Sequence, residues 1–197
     1  MRRLTPLEAQ VRRVLDARLL RGRNRPLAVA LSGGGDSLAL TLIADDWARE
    51  AGRPLIILTV DHGLQAQSRA WTRACARTAE RLGRPFRALA WSGEKPSRGL
   101  PAAARAARHR LLAEAARAAG ARVILMGHTA DDAAEAQAMR AAGAPTPDPR
   151  EWAPSPAWPE GRGVFLLRPL MSVRRAALRE WLTARGEAWI DDPANLD

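Results

Sequence analysis

Apolar positions recur along the chain in two rhythms. One returns every three to four residues and predicts helices over roughly 6–21, 37–51, 66–82, 101–119, 130–142 and 172–185. Between them lie short apolar runs: Leu27–Leu31, Leu55–Val60, Phe86–Trp91, Val123–Met126 and Val164–Leu167. The run Leu55-Ile56-Ile57-Leu58-Thr59-Val60 does not alternate with polar residues, and Pro54 and Asp61-His62-Gly63 bound it. A strand buried on both faces fits that pattern better than a helix. Strands alternating with helices predict an α/β fold: a doubly wound, mainly parallel, five-stranded sheet with helices on both faces.

One region breaks the rhythm. Ala144 to Gly163 reads APTPDPREWAPSPAWPEGRG, whose prolines exclude a long helix or a central strand. Two readings stand for it: a disordered insertion, or a functional loop on which Trp152, Trp158 and Arg150 touch a nucleic acid.

The totals narrow the class. The 197 residues suffice for one domain with a real core. No apolar run reaches membrane-spanning length, and Met1-Arg2-Arg3 leads into mixed sequence rather than an apolar signal core. A soluble, cytoplasmic protein with no membrane partner is expected. Cys75 is the only cysteine, which excludes an internal disulfide, a four-cysteine zinc site and chemistry that needs two thiols from this chain. The net charge is +10, and Lys95 is the only lysine, so nearly all the positive charge is arginine. Guanidinium groups grip phosphate with two prongs and stack on bases, which favours a nucleic-acid partner.

Ser32-Gly33-Gly34-Gly35-Asp36-Ser37 separates the first strand from the helix whose packing starts at Leu38. Glycines permit positive φ and close approach to the amides. The free N–H groups and positive dipole end of the next helix attract phosphate there. The turn has no Gly-Lys-Ser/Thr, and a Gly-x-Gly-x-x-Gly pattern fails because its third position is Leu38. Asp36 repels phosphate unless a Mg²⁺ lies between them. Helix capping by Ser32 or Asp36 accounts for one polar residue but not for three glycines between two serines.

This turn resembles the Ser-Gly-Gly-x-Asp-Ser pyrophosphate-loop signature of the N-type ATP pyrophosphatases. Those enzymes cleave ATP between its α and β phosphates and activate a carbonyl oxygen as the adenylate. The resemblance implies an adenine nucleotide alpha hydrolase-like fold, ATP as substrate and Mg²⁺ as cofactor. Further stretches narrow it: Thr59-Val60-Asp61-His62-Gly63-Leu64, Met126 to Glu135 (MGHTADDAAE), Arg168-Pro169-Leu170, and Trp189 to Asn195 (WIDDPAN). In order and spacing they are similar to the tRNA(Ile)-lysidine synthase family, whose members use ATP to join lysine to C2 of the anticodon wobble cytidine. The partners so implied are a tRNA(Ile) with a CAU anticodon, L-lysine and ATP.

Residue by residue, the resemblance implies that Ser32, Gly33, Gly34, Gly35, Asp36 and Ser37 hold the ATP phosphates, with Asp36 on the magnesium. Val60 and Asp61 would border the adenosine. Arg105 and Arg108 match arginines of the family's helix before the fourth strand. Arg108, His128, Asp132 and Glu135 take its lysine- and cytidine-binding places and, with Asp36, form the implied catalytic set. Spacing adds its own argument. His128, Asp132 and Glu135 stand at i, i+4 and i+7, within about 60° on one helix face if the helix reaches back to His128. Two carboxylates there suit a cationic lysine, and a carboxylate beside His128 suits removal of a proton from an amine. Thr129-Ala130-Asp131-Asp132 also reads as a helix start, and Asp131 is assigned to capping. His62, Arg105 and Arg108 fit solvated positions equally well. Trp47, Trp71, Trp91, Trp181 and Trp189 read as packing residues.

The chain departs from the family pattern at Ala133 and Ala136, where glutamine and threonine are usual, and at His109, where tyrosine is common. The family's members run past the Asp-Pro-x-Asn motif into further tRNA-binding domains. The resemblance therefore implies that residues 1–197 are a single catalytic domain without them. Another pyrophosphate-loop ligase, or a non-catalytic nucleotide- or RNA-binding module, remains open at this stage. A thiolase is disfavoured by the lone Cys75.

Overall fold

The computed structural model describes residues 3–93, 95–144, 146 and 149–191. The Asp192–Asn195 part of the last motif therefore lies outside the described residues.

Thr5 starts the first helix, α1 (Pro6–Arg18), with a reciprocal capping box to Glu8. Then β1 (Leu27–Ala30), α2 (Gly35–Glu50), β2 (Leu55–Asp61), α3 (Ser68–Arg81), β3 (Phe86–Ala90) and α4 (Leu100–Ala118) alternate. They are followed by β4 (Val123–Leu125), α5 (Ala130–Ala141), β5 (Trp152–Pro154), β6 (Phe165–Leu167) and α6 (Arg175–Ala184). All strands of the β3-β2-β1-β4-β6-β5 sheet run parallel except β5, which pairs antiparallel with β6 at the edge.

Among the described residues the sheet has six strands rather than the expected five, because β5 forms inside the proline-rich region. Those prolines bar a central strand but not an edge, where Pro154 need not donate to a ladder. Trp152 stacks on Phe165 with ring centroids 5.3 Å apart, which ties this stretch to β6. Trp158 stands 74% exposed.

Two hydrophobic clusters explain why the strand runs do not alternate. Val29, Ile57, Leu125 and Leu167 face α1, α2, α3 and α6, while Ala28, Ile56, Ile124 and Leu166 face α4. Adjacent residues of one strand thus enter opposite cores, so every position is apolar. Trp47 and Trp181 are buried as expected, whereas Trp71 and Trp91 are only half-buried.

The strand order turns back between β1 and β4: β2 and β3 lie on one side, β6 and β5 on the other. Ligands of open α/β sheets bind in the crevice at such a switch point, beyond the carboxyl ends of the strands. The segments entering that crevice are the glycine turn after β1 and the Met126–Asp132 stretch around the end of β4.

Candidate active site

A cleft of about 460 Å³ opens at this switch point, and Ser32, Gly34, Gly35, Asp36 and Ser37 line one wall. The glycine turn is held by its own serines. Ser37 Oγ donates to the Gly34 carbonyl (2.9 Å), accepts from the Ser32 amide (3.1 Å) and meets Ser32 Oγ at 3.0 Å. Gly34 is the N-cap of α2 and has no side chain with which to cap it. The first amides of α2 thus face a cleft wall without an internal side-chain partner, the arrangement that suits an anion.

Gly33 has a conformational task in the turn. Its φ is +96°, and it is absent from the cleft lining. A Cβ at Gly33 would lie 2.6 Å from Ile190 Cδ1, and one at Gly35 would lie 3.4 Å from Trp189. A strap over residues 187–191 therefore packs on the turn, and its Ile190 and Asp191 also line the cleft. Ile190 N–H donates to the Gly33 carbonyl (3.0 Å), Trp189 Nε1 donates to Asp191 (3.0 Å), and Arg81 grips Glu187 with two hydrogen bonds of 2.8 and 2.7 Å. Gly127 is a second close approach. A Cβ there would sit 3.1 Å from the Ser37 backbone, so the glycine lets the chain leaving β4 pass close to the start of α2.

The cleft also takes in Val60 and Asp61, with His62, Leu64 and Trp71 beside them. Asp61 Oδ1 accepts from the Gly63 amide at 2.8 Å, which fixes the turn after β2. Arg108, His128 and Asp132 line the opposite side. Arg105 is exposed and outside the lining, and Glu135 sits on the rim with its side chain 61% exposed.

His128 precedes the helix instead of belonging to it, since Thr129 is the N-cap of α5. The shared helix face therefore applies to Asp132 and Glu135 alone, although His128 still enters the same cleft. The two aspartates also take other parts than the spacing suggested. Asp132 is the third helical residue of a reciprocal capping box with Thr129: its Oδ2 accepts from both the amide and the hydroxyl of Thr129, each at 2.6 Å. Asp131 reaches out to α6 and accepts from the Arg175 amide at 2.8 Å. The capping-box geometry decides this, because the third helical residue folds back over the N-cap while the second does not.

Arg175 is the site residue that sequence reasoning missed. Its Nε lies 3.1 Å from Asp36 Oδ2, its Nη2 3.4 Å from Asp132 Oδ1 and its Nη1 3.5 Å from Glu135 Oε1. No local pattern links position 175 to these three acids; the packing of α6 against α2 brings it to Asp36, and the bonds from Ala130 N–H to the Val173 carbonyl and from Arg175 N–H to Asp131 bring it to α5.

Burial pushes the Asp36 carboxyl above its usual value, with Arg175 pulling against the shift. Its Oδ1 is buried and has no hydrogen-bond partner among the described residues. Burial, reinforced by Arg168 and Arg108, pushes His128 down to about 4, so its imidazole is neutral at pH 7 and Nδ1 is unpartnered. His109, buried behind it on α4, is pushed down to about 3 by burial and by Arg108 and Arg105. Among the described residues no group of three or more His, Cys, Asp or Glu side chains could hold a metal on its own. Magnesium does not require such a group, since it binds through one or two carboxylates together with substrate phosphates. The unpartnered Asp36 Oδ1 beside the bare turn fits that demand.

A family model described as a PP-loop domain matches residues 5–197. The chain belongs to the PP-loop family. Among curated PP-loop relatives, the tRNA(Ile)-lysidine synthase of Caulobacter vibrioides is 58% identical over 188 residues, covering 95% of this chain and 46% of that protein. The enzyme of the same name from Hyphomonas neptunium is 42% identical over 201 residues, covering 98% of this chain and 53% of its own. The chain thus spans about half the length of the curated relatives it matches. The U34-tRNA thiolase NcsA from Methanococcus maripaludis, solved with its [4Fe-4S] cluster, superposes with TM-score 0.77 at 17% identity, covering 94% of this chain and 65% of NcsA. The NMN synthetase of Francisella tularensis gives TM-score 0.59 at 14% identity, covering 94% and 73% of the two chains. Identities this low speak to the PP-loop fold alone. No helix among the described residues is long and apolar enough to cross a membrane.

Proposed function

We propose that this PP-loop chain is the catalytic domain of a cytoplasmic tRNA(Ile)-lysidine synthase. It would use ATP and L-lysine to modify the wobble cytidine of a tRNA(Ile) with a CAU anticodon. The 58% identity to the Caulobacter enzyme across 95% of the chain carries the reading. The cleft supports it, because one crevice joins a phosphate-binding turn to an acidic wall suited to an amine.

In the first step the cytidine O2 attacks the α-phosphate of ATP, and pyrophosphate leaves. The amides at the start of α2 stabilise charge on the departing phosphates in a site already shaped for it. A magnesium ion held by Asp36 Oδ1 would supply Lewis-acid stabilisation of those oxygens. Asp132 and Glu135 attract the cationic side chain of lysine, and neutral His128 accepts a proton as the amine attacks C2 and displaces AMP. Arg108, with an unpartnered Nε at the same wall, faces the nucleotide being modified. Much of the acceleration comes from alignment, since two steps require three substrates in register.

Cys75 is buried, and burial pushes its thiol up, so it supplies no reactive thiolate for a thiolation reaction. The deciding experiment incubates the chain with ATP, lysine and a tRNA(Ile) transcript, then measures the mass of the anticodon cytidine. A lysine adduct is the expected result. An unmodified cytidine under conditions where the full-length Caulobacter enzyme modifies it would overturn the proposal for this chain.

A further inference from the structure

The chemistry above gives Arg175 no task, yet its guanidinium occupies the acidic wall of the cleft. Three carboxylates from two helices converge on this single cation: Asp36 at 3.1 Å, Asp132 at 3.4 Å and Glu135 at 3.5 Å. The backbone of Arg175 is anchored separately, by its amide's bond to Asp131 and by its place at the start of α6. The side chain can therefore change partners while the helix stays put.

Arg108 and Arg179 also line the cleft, but among the described residues Arg175 is the cation whose guanidinium spans all three acids. A divalent metal arriving alone competes with Arg175 for Asp36. A metal arriving with a nucleotide does not, because the phosphates offer the guanidinium better partners, forked and doubly charged. Asp36 lies in the first turn of α2, so an anion bound at that helix end sits beside the group whose Nε is 3.1 Å away.

We propose that Arg175 is a built-in counter-ion that keeps the acidic wall closed to free divalent metal and transfers to the phosphates when a nucleotide enters. The cleft then admits metal and nucleotide together, and the freed Asp132 and Glu135 become available to the amine substrate. This rests on reading the cleft as a nucleotide-phosphate site, but its test does not need the modification reaction.

The test titrates Mn²⁺ into the chain by calorimetry with no nucleotide, lysine or tRNA present. Arg175→Gln is expected to bind Mn²⁺ at least tenfold more tightly than the native chain, and adding Asp36→Asn to that variant removes the gain. Arg175→Lys keeps the charge but cannot span three carboxylates, so a gain of a few-fold is expected; it also serves as the test if the glutamine variant does not fold. In a second titration, a non-hydrolysable ATP analogue with Mg²⁺ is expected to bind Arg175→Gln about tenfold more weakly. Native-like Mn²⁺ affinity in both variants would overturn the counter-ion role. Unchanged analogue affinity would overturn the transfer to phosphate. A chain that forms no lysidine yet shows the Mn²⁺ gain would sink the functional reading and leave this inference standing.

Discussion

A single carboxyl oxygen, Asp36 Oδ1, defines the residue scale of this molecule. It is buried without a hydrogen-bond partner among the described residues, and the carboxyl that carries it is harder to ionise than usual. A carboxyl that burial disfavours in this way, set in a cleft, suits a role in chemistry. Asp36→Asn should lower adenylation by about 10²-fold or more, measured by tRNA-dependent ATP–pyrophosphate exchange, and leave the melting temperature within a few degrees of native. Gly33 is the opposite case. Its φ of +96° and the 2.6 Å gap to Ile190 Cδ1 make Gly33→Ala a structural lesion. A loss of about 1–3 kcal/mol in denaturant unfolding is expected, and Ile190→Ala should restore only part of it, because it relieves the clash but not the backbone strain.

At the scale of elements, α4 and the end of β4 bury two histidines in their neutral forms. His128 is pushed down to about 4 and His109 to about 3, against 6.5 for an unperturbed imidazole. The unfolded chain therefore binds more protons than the folded one below pH 6.5. Stability is full above that value and falls as pH drops toward 4 and then 3. Thermal melts between pH 7 and 4 should show this decline, and His109→Phe should flatten part of it. The elements themselves were legible in the sequence to within a few residues, since apolar rhythm records which faces are buried. β5 was not, because three residues with one stacked pair leave no periodicity to read. The glycine turn was legible because its composition is local. Arg175 was hidden, because its three partners lie 139, 43 and 40 residues away along the chain. The assignment of the helix start to Asp131 rather than Asp132 missed only a geometric detail, that the third residue of a helix is the one that folds back.

For the whole molecule the charge of +10 dominates, and it is carried almost wholly by arginine. Part of it is committed internally, as in Arg84 and Arg49 on Asp45 or Arg81 on Glu187. Much of the rest, Arg105 and Arg150 included, stays exposed. Binding of tRNA should therefore weaken steeply with salt; a slope of log affinity against log salt below about one would argue against arginine–phosphate contacts. The strap over residues 187–191 links these scales. Its indole at Trp189 rests against the back of the very glycine whose front lines the nucleotide cleft. An occupant that shifts the peptide between them should change the emission of Trp189, and comparing the native chain with Trp189→Phe isolates that indole's share from the other tryptophans, Trp71 in the cleft among them.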